Sequence, residues 1–439
     1  MIKKTEPRIY KGTRDFLPEQ MIKRQYVIGI IREIFEKYGF EPLETPTLEL
    51  WETLAGKYGE EGDQLTYRFF DRGKREVGLR YDLTVPLSRV VAMYPNLPKP
   101  FKRYQIQPVW RADKPQKGRF REFYQCDIDV IGSSSMLADA EILAAIYEVL
   151  IKLGFDDFKI RINNRKILSG MVEAAGIPRQ QEAALARAID KLDKIGEEGV
   201  GQELQKAGID LQRIEKIFRT FHLSGSNQEK LQQTAHALQN SEIGILGINE
   251  IKELFYYLAN YQIPEKFLLF DLFLARGLDY YTGPIFETVV ERARIGSITG
   301  GGRYDKLIGL FSGVDQPATG CSIGLERIVT VMEELKMFPA EIKTPIKVLV
   351  SVFDSQTLPY SIQVAHLLRQ ANINTELYTG HSKLRGQFGL ANEKSIPLVI
   401  VAGPDEMKTQ QVSIKNMLTG QQRVVLFSEL ISEIKKDLY

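Results

Sequence analysis

From Met21 to Tyr38, apolar side chains return at helical spacing, with Ile22, Tyr26, Ile30, Ile34 and Tyr38 on one face. Gly39 follows as a stop, and Phe40 to Leu50 then reads as an extended segment containing Pro42 and Pro46. Tyr67 to Thr84 holds two candidate strands around the polar turn DRGK. Lys102 to Trp110 and Phe120 to Ile131 predict two further strands. They flank ADKPQKG, a loop too long and too charged for a tight turn. A helix is predicted over Met136 to Leu153 and a strand over Phe158 to Ile162.

The texture changes between about Pro178 and Gln262, where Gln, Glu, Lys, Ala and Leu dominate and aromatics are scarce before Tyr256. This predicts a helical module. Strand-like sequence returns over Phe267 to Val290, followed by GSITGGGRYD and a helix from about Gly324 to Lys336. Pro339 to Pro345 has linker character. Beyond it, VLVSVF, a helix over Leu358 to Ala371, NTELYT, a short helix, PLVIVAG and a terminal helix give the β–α–β–α–β rhythm of a small α/β domain. The expected division is therefore 1–177, a helical insertion at 178–262, a return of the first domain at 263–338, and a last domain at 344–439.

At 439 residues the chain is too long for one ordinary core. The net charge of +2 excludes a grossly basic nucleic-acid coat. It leaves room for a nucleic-acid partner, because a local basic surface suffices to neutralise phosphates. Charge is uneven: between Leu97 and Arg121, eight Lys or Arg residues face the single acid Asp113. Cys126 and Cys321 lie far apart, and the four histidines show no metal-ligand spacing with them, so reduced thiols and no protein-held metal are expected. The start of the chain lacks an apolar signal core, and no run of about 18 apolar residues suggests a membrane span. The expectation is a soluble, cytoplasmic protein.

Candidate chemistry concentrates around ADKPQKG. Arg111 sits at a strand end, where a sheet can aim its guanidinium, and Arg119 and Arg121 flank the return strand. Guanidinium groups grip phosphate oxygens in a planar fork and keep their charge near neutrality. Such a charge run could merely solvate a hairpin. Against that, Trp110, Phe120, Phe123 and Tyr124 interleave with the cations. Period-two alternation also places Phe123, Gln125, Asp127 and Asp129 on one sheet face. In GGGRYD (Gly300 to Asp305), neither the P-loop nor the dinucleotide glycine spacing is present. Its glycines suggest close backbone approach to a ligand within a strand.

The segment VWRADKPQKGRFREFYQCDID (Val109 to Asp129) resembles motif 2 of class II aminoacyl-tRNA synthetases. Phe35 to Glu49 resembles motif 1, and GCSIGLERIV (Gly320 to Val329) resembles motif 3. RGLDYYTG (Arg276 to Gly283) and GGGRYD resemble the two signatures of the histidyl-tRNA synthetase family, and KGTRDFLPEQ and LRYDLT match it too. LANEKSIPLVIVAGPDEM and SIKNMLTGQQ resemble the α/β anticodon-binding domain of this enzyme group.

The resemblance implies an α+β fold: an antiparallel-sheet class II catalytic domain, a helical insertion and a C-terminal α/β anticodon-binding domain. It implies that ATP, histidine and tRNA(His) are substrates, with Mg2+ arriving on ATP and a homodimer formed through motif 1. Arg111 and Arg276 are carried over as the catalytic cations at the α-phosphate. Asp113, Arg119, Phe123 and Arg327 are carried over as ATP contacts. Asp82, Thr84 and Gln125 match the positions that hold the ammonium group, and Asp129 and Tyr281 those that bracket the imidazole, with Tyr280 and Tyr304 nearby. Gln116 is the candidate contact to the tRNA acceptor end. Many bacterial members place Glu where this chain has Asp82, Asp113 and Asp129. The alternative is a non-catalytic, synthetase-like regulatory subunit of histidine biosynthesis.

Overall fold

The computed structural model describes residues 5–189, 191–221, 223–275, 280–293, 295–340 and 342–438. It divides into two compact units, one of Met1–Asp15 with Val27–Met337 and the other of Phe16–Tyr26 with Phe338–Tyr439.

The first unit is organised by one large sheet and one small one. In chain order its strands are β1 (Glu41–Pro42), β2 (Leu48–Leu50), β3 (Arg68–Phe70), β4 (Glu76–Leu79), β5 (Phe101–Trp110), β6 (Glu122–Ile131) and β7 (Lys159–Asn164). They continue as β8 (Leu268–Phe270), β9 (Pro284–Val289), β10 (Thr299–Arg303) and β11 (Ala318–Gly324). The large sheet runs β1-β5-β6-β11-β10-β9-β7-β8, and β2-β4-β3 form the small one. From β5 to β7 every neighbour pair in the large sheet is antiparallel. The parallel pairs, β1 with β5 and β7 with β8, sit at its two edges.

Local chemistry explains these elements. The ten-residue strands β5 and β6 pair along their whole length, from Phe101 opposite Ile131 to Trp110 opposite Glu122. Helix Met136–Lys152 follows β6 and is capped by Ser135, whose hydroxyl accepts from the Leu137 N–H. Its Ile142, Ile146, Val149 and Leu150 are completely buried, and the helix packs on β6 and β11. One face of the sheet is thus sealed by apolar packing, which holds the strands beneath the site in place.

The ADKPQKG loop differs from expectation. Its tip is a tight turn after all, with Gln116 and Arg119 exchanging backbone hydrogen bonds of 3.1 and 2.9 Å. Gly118 takes the left-handed conformation (φ 70) that such a turn needs. The return strand accordingly starts at Glu122 rather than Phe120. Every described element between Arg179 and Asn260 is a helix, and the stretch ends in the long helix Glu242–Asn260.

In the second unit, β12 (Val348–Val350), β13 (Thr375–Leu377), β14 (Leu398–Val401), β15 (Gln411–Asn416) and β16 (Gln422–Leu426) form the order β13-β12-β14-β15-β16. The parallel trio with helices Leu358–Gln370 and Leu384–Glu393 is the rhythm read from the sequence. The antiparallel hairpin β15–β16 was not expected there. Its signal is short: Val412 and Ile414 are buried on alternate positions, while Val424 and Leu426 on the partner strand stay exposed.

Candidate active site

Strands β6, β9, β10 and β11 line a cavity of about 220 Å³. Gln125, Asp127 and Asp129 point into it from β6, as their alternation predicts. Ser322 and Gly320 lie opposite Asp127 and Asp129 on β11. Gln107, Gln105 and Arg103 lie opposite the same three residues on β5. Asp82, Thr84, Arg111, Tyr280, Tyr281 and Tyr304 complete the polar lining carried over from the family.

The carboxylates differ in what they have left to offer. One Asp82 oxygen accepts from the Val85 N–H at 3.0 Å and from the Tyr58 hydroxyl at 3.1 Å, while its Oδ2 is buried with no partner. Asp129 is engaged on both oxygens. Tyr304 donates to one, and the fully buried Arg103 lies 2.8 Å from the other. That second oxygen lacks hydrogen-bond alignment, yet at this distance in a buried setting the charge pairing governs. Asp127 lies opposite Ser322 on β11, and its Oδ1 is buried without a partner. Burial pushes Asp82 and Asp129 above the ordinary carboxylate range, and Asp127 up to about 7, with Arg103 opposing the shift in the latter two. Burial likewise raises Tyr280, Tyr281 and Tyr304, so their hydroxyls remain neutral donors.

Arg111 extends from the end of β5. Its Nε donates to the Tyr81 carbonyl at 3.1 Å, and its cation lies 4.2 Å from the Tyr81 ring centroid and 5.2 Å from that of Phe123. Two aromatic faces thus fix a cation at the cavity wall. Farther out, Arg119 and Asp113 form a two-pronged ion pair of 2.8 and 2.9 Å. Arg327, on helix Leu325–Glu334, donates to the Ser297 carbonyl and lies beside Gly118 at the loop tip. Gln116 is exposed at that tip. Arg276 lies outside the described residues, although Leu274 and Tyr280 on either side of its segment both line the cavity.

The glycine run has a divided role. A Cβ on Gly301 would stand 2.1 Å from the Gly320 carbonyl, so this glycine permits close strand packing. A Cβ on Gly300 would meet no atom within 4 Å, and Gly300 borders the cavity. Sequence reasoning put Asp127 on the right face but gave it no role, and it passed over Arg103, Ser322 and Tyr58. For Arg103 the signal was available, because period two along β5 carries it to the same face as Gln105 and Gln107. Ser322 and Tyr58 come from distant segments and are found only by folding.

Among the described residues, no group of three His, Cys, Asp or Glu is gathered as a metal site. No described helix is long and apolar enough to cross a membrane.

Comparison with known proteins follows the same division. A family model described as histidyl-tRNA synthetase matches residues 12–328, and one described as anticodon binding domain matches residues 347–437. Histidine–tRNA ligase of Cytophaga hutchinsonii is 44% identical, covering 98% of this chain and 99% of its own length. That of Gloeobacter violaceus is also 44% identical, over 94% and 95%. The crystal structure of histidyl-tRNA synthetase from a Nostoc species superposes with a TM-score of 0.88 at 35% identity, covering 99% of this chain and all of that one. A Bacillus halodurans structure described as an ATP phosphoribosyltransferase regulatory subunit/histidyl-tRNA synthetase shares the fold, with a TM-score of 0.74 at 22% identity over 88% and 97%.

Proposed function

The chain belongs to the histidyl-tRNA synthetase family, and on that premise we propose how its cavity carries out the reaction. It attaches histidine to tRNA(His) in two steps. The histidine carboxylate attacks the α-phosphorus of ATP, diphosphate leaves, and histidyl-adenylate remains. The terminal ribose hydroxyl of tRNA then takes the histidyl group and AMP is released.

One observation carries the assignment of the amino-acid site. Asp82 Oδ2, Gln125 Oε1 and Asp127 Oδ1 are buried acceptors without partners, and all three residues line one cavity. Buried acceptors demand donors, so the ligand must be rich in N–H groups, as the ammonium and imidazole of histidine are. Asp82, Thr84 and Gln125 take the ammonium. Tyr281 and the Asp129–Tyr304 pair face the imidazole, with Tyr280 nearby. A site that pairs polar groups this way rejects amino acids that leave its acceptors empty.

Arg111 stands where negative charge grows on the α-phosphoryl oxygens, and stabilising that charge lowers the barrier of the first step. Arg276 serves the same phosphate from the other side. Phe123 and Arg327 enclose the adenine and the γ-phosphate, while Asp113 and Arg119 contribute to adenine and tail contacts. Mg2+ would arrive with ATP and would neutralise charge on the phosphate tail that Arg119 and Arg327 hold. Gln116 meets the acceptor end of tRNA, and residues 344–439 its anticodon. The helical stretch 178–262 is an insertion between the two halves of the catalytic domain. The working form is a cytoplasmic homodimer, and a solution mass of a single chain would contradict that part.

The regulatory-subunit alternative is weaker. The chain keeps Arg111, Arg276 and Arg327 together with a matched anticodon-binding domain. Arg276→His tests the catalytic assignment: the adenylation rate should fall far more than ATP binding weakens. Equal losses would assign Arg276 to binding alone.

A further inference from the structure

Tyr58 reaches the site without lining the cavity. It lies in the turn between helices Trp51–Leu54 and Gly59–Leu65, flanked by Gly56 and Gly59, which both take the left-handed conformation (φ 70 and 74). Its side chain turns inward and is only 4% exposed. The ring packs on that of Tyr81, 4.8 Å between centroids, in one apolar cluster with Leu54, Val85 and Leu87.

From this fixed position the hydroxyl donates to Asp82 Oδ1 at 3.1 Å. The same oxygen accepts from the Val85 N–H at 3.0 Å, in the first turn of helix Thr84–Met93. Neither donor residue lines the cavity, whereas Asp82 does. The other carboxylate oxygen, Oδ2, is buried with no protein partner. One donor alone would leave the carboxylate free to pivot about Oδ1. A second donor fixes its plane, and with it the direction in which Oδ2 is presented. Burial, with Asp82 alongside, keeps the Tyr58 hydroxyl in its protonated, donating form.

We propose that Tyr58 is a positioning residue for the amino-acid substrate, its hydroxyl pinning Asp82 Oδ1 so that Oδ2 faces the ammonium group of histidine. This rests on the reading that Asp82 takes that ammonium. The hydroxyl then acts on one end of the substrate only. Its loss weakens a ligand that carries the ammonium and spares one that lacks it, whereas a merely structural role would affect both alike.

The test uses the full-length protein in histidine-dependent pyrophosphate exchange, with two competing ligands as probes. Histidinol keeps the ammonium, and imidazolylpropionate lacks it. Tyr58→Phe keeps the ring in its apolar setting and removes only the hydroxyl. It should raise KM for histidine and the inhibition constant of histidinol about fivefold or more. The inhibition constant of imidazolylpropionate, KM for ATP and kcat should stay within about twofold. Asp82→Asn should raise the first two quantities as well, and in that background Tyr58→Phe should add less than about twofold. Unchanged KM for histidine in Tyr58→Phe, an equal rise for imidazolylpropionate, a parallel rise in KM for ATP, or full additivity of the two substitutions would overturn the proposal. Unchanged KM for histidine and unchanged inhibition by histidinol in Asp82→Asn would instead overturn the reading of Asp82 on which it rests.

Discussion

Gly320 stands directly opposite Asp129 in the β6–β11 register, and a Cβ at Gly320 would lie 1.9 Å from an Asp129 carboxylate oxygen. The absence of a side chain on β11 is what makes room for the carboxylate on β6. Gly320→Ala should push Asp129 away from Arg103 and Tyr304. The expected outcome is a rise of about tenfold or more in KM for histidine, with a stability loss of about 1–3 kcal/mol in urea unfolding.

Arg103 and Asp129 are both almost fully buried, 2.8 Å apart. Removing one partner strands the other charge in the core. Arg103→Leu should therefore destabilise the protein by about 3–5 kcal/mol in chemical unfolding. A loss no larger than that of a surface ion pair would mean that Asp129 is neutral in the native state.

Arg111 is held by one hydrogen bond and two aromatic faces, an arrangement suited to a flat guanidinium rather than an ammonium. Arg111→Lys keeps the charge but loses that geometry. Single-turnover formation of the adenylate should slow by about 10²–10³, with histidine binding little changed.

How far the site was legible follows from where its residues lie. Gln125, Asp127 and Asp129 share one strand, so period two alone gathers them. Helix Met136–Lys152 was legible because its apolar pattern is long, and strand β5 because Tyr104 and Ile106 alternate with Arg103, Gln105 and Gln107. Ser322 and Gly320 reach the cavity, and Tyr58 reaches Asp82, only because segments distant in sequence fold together. The hairpin β15–β16 escaped for another reason: with Val424 and Leu426 turned to solvent, its apolar alternation does not follow the buried face. The ADKPQKG loop hid its turn because Gly118 was one glycine within a charged run. Arg276 was reached through the family signature alone.

Asp127 also links stability to pH. Its folded pKa is about 7, above the ordinary value of 3.8, so between about pH 4 and 7 the native state holds a proton that the unfolded chain has released. Its contribution is therefore fully present below pH 4 and is lost as pH rises through 7, at up to roughly 1.4 kcal/mol per pH unit. Asp127→Asn removes the buried charge. It should be more stable than the unsubstituted protein at pH 8, with the difference shrinking toward pH 4, as measured by urea unfolding across that range.

The central claim is that this cavity activates histidine, and exchange of labelled pyrophosphate into ATP tests it most directly. Each amino acid is offered singly, with no tRNA present. The expected result is exchange with histidine and with no other amino acid. No exchange with histidine, or equal exchange with a second amino acid, would contradict the account.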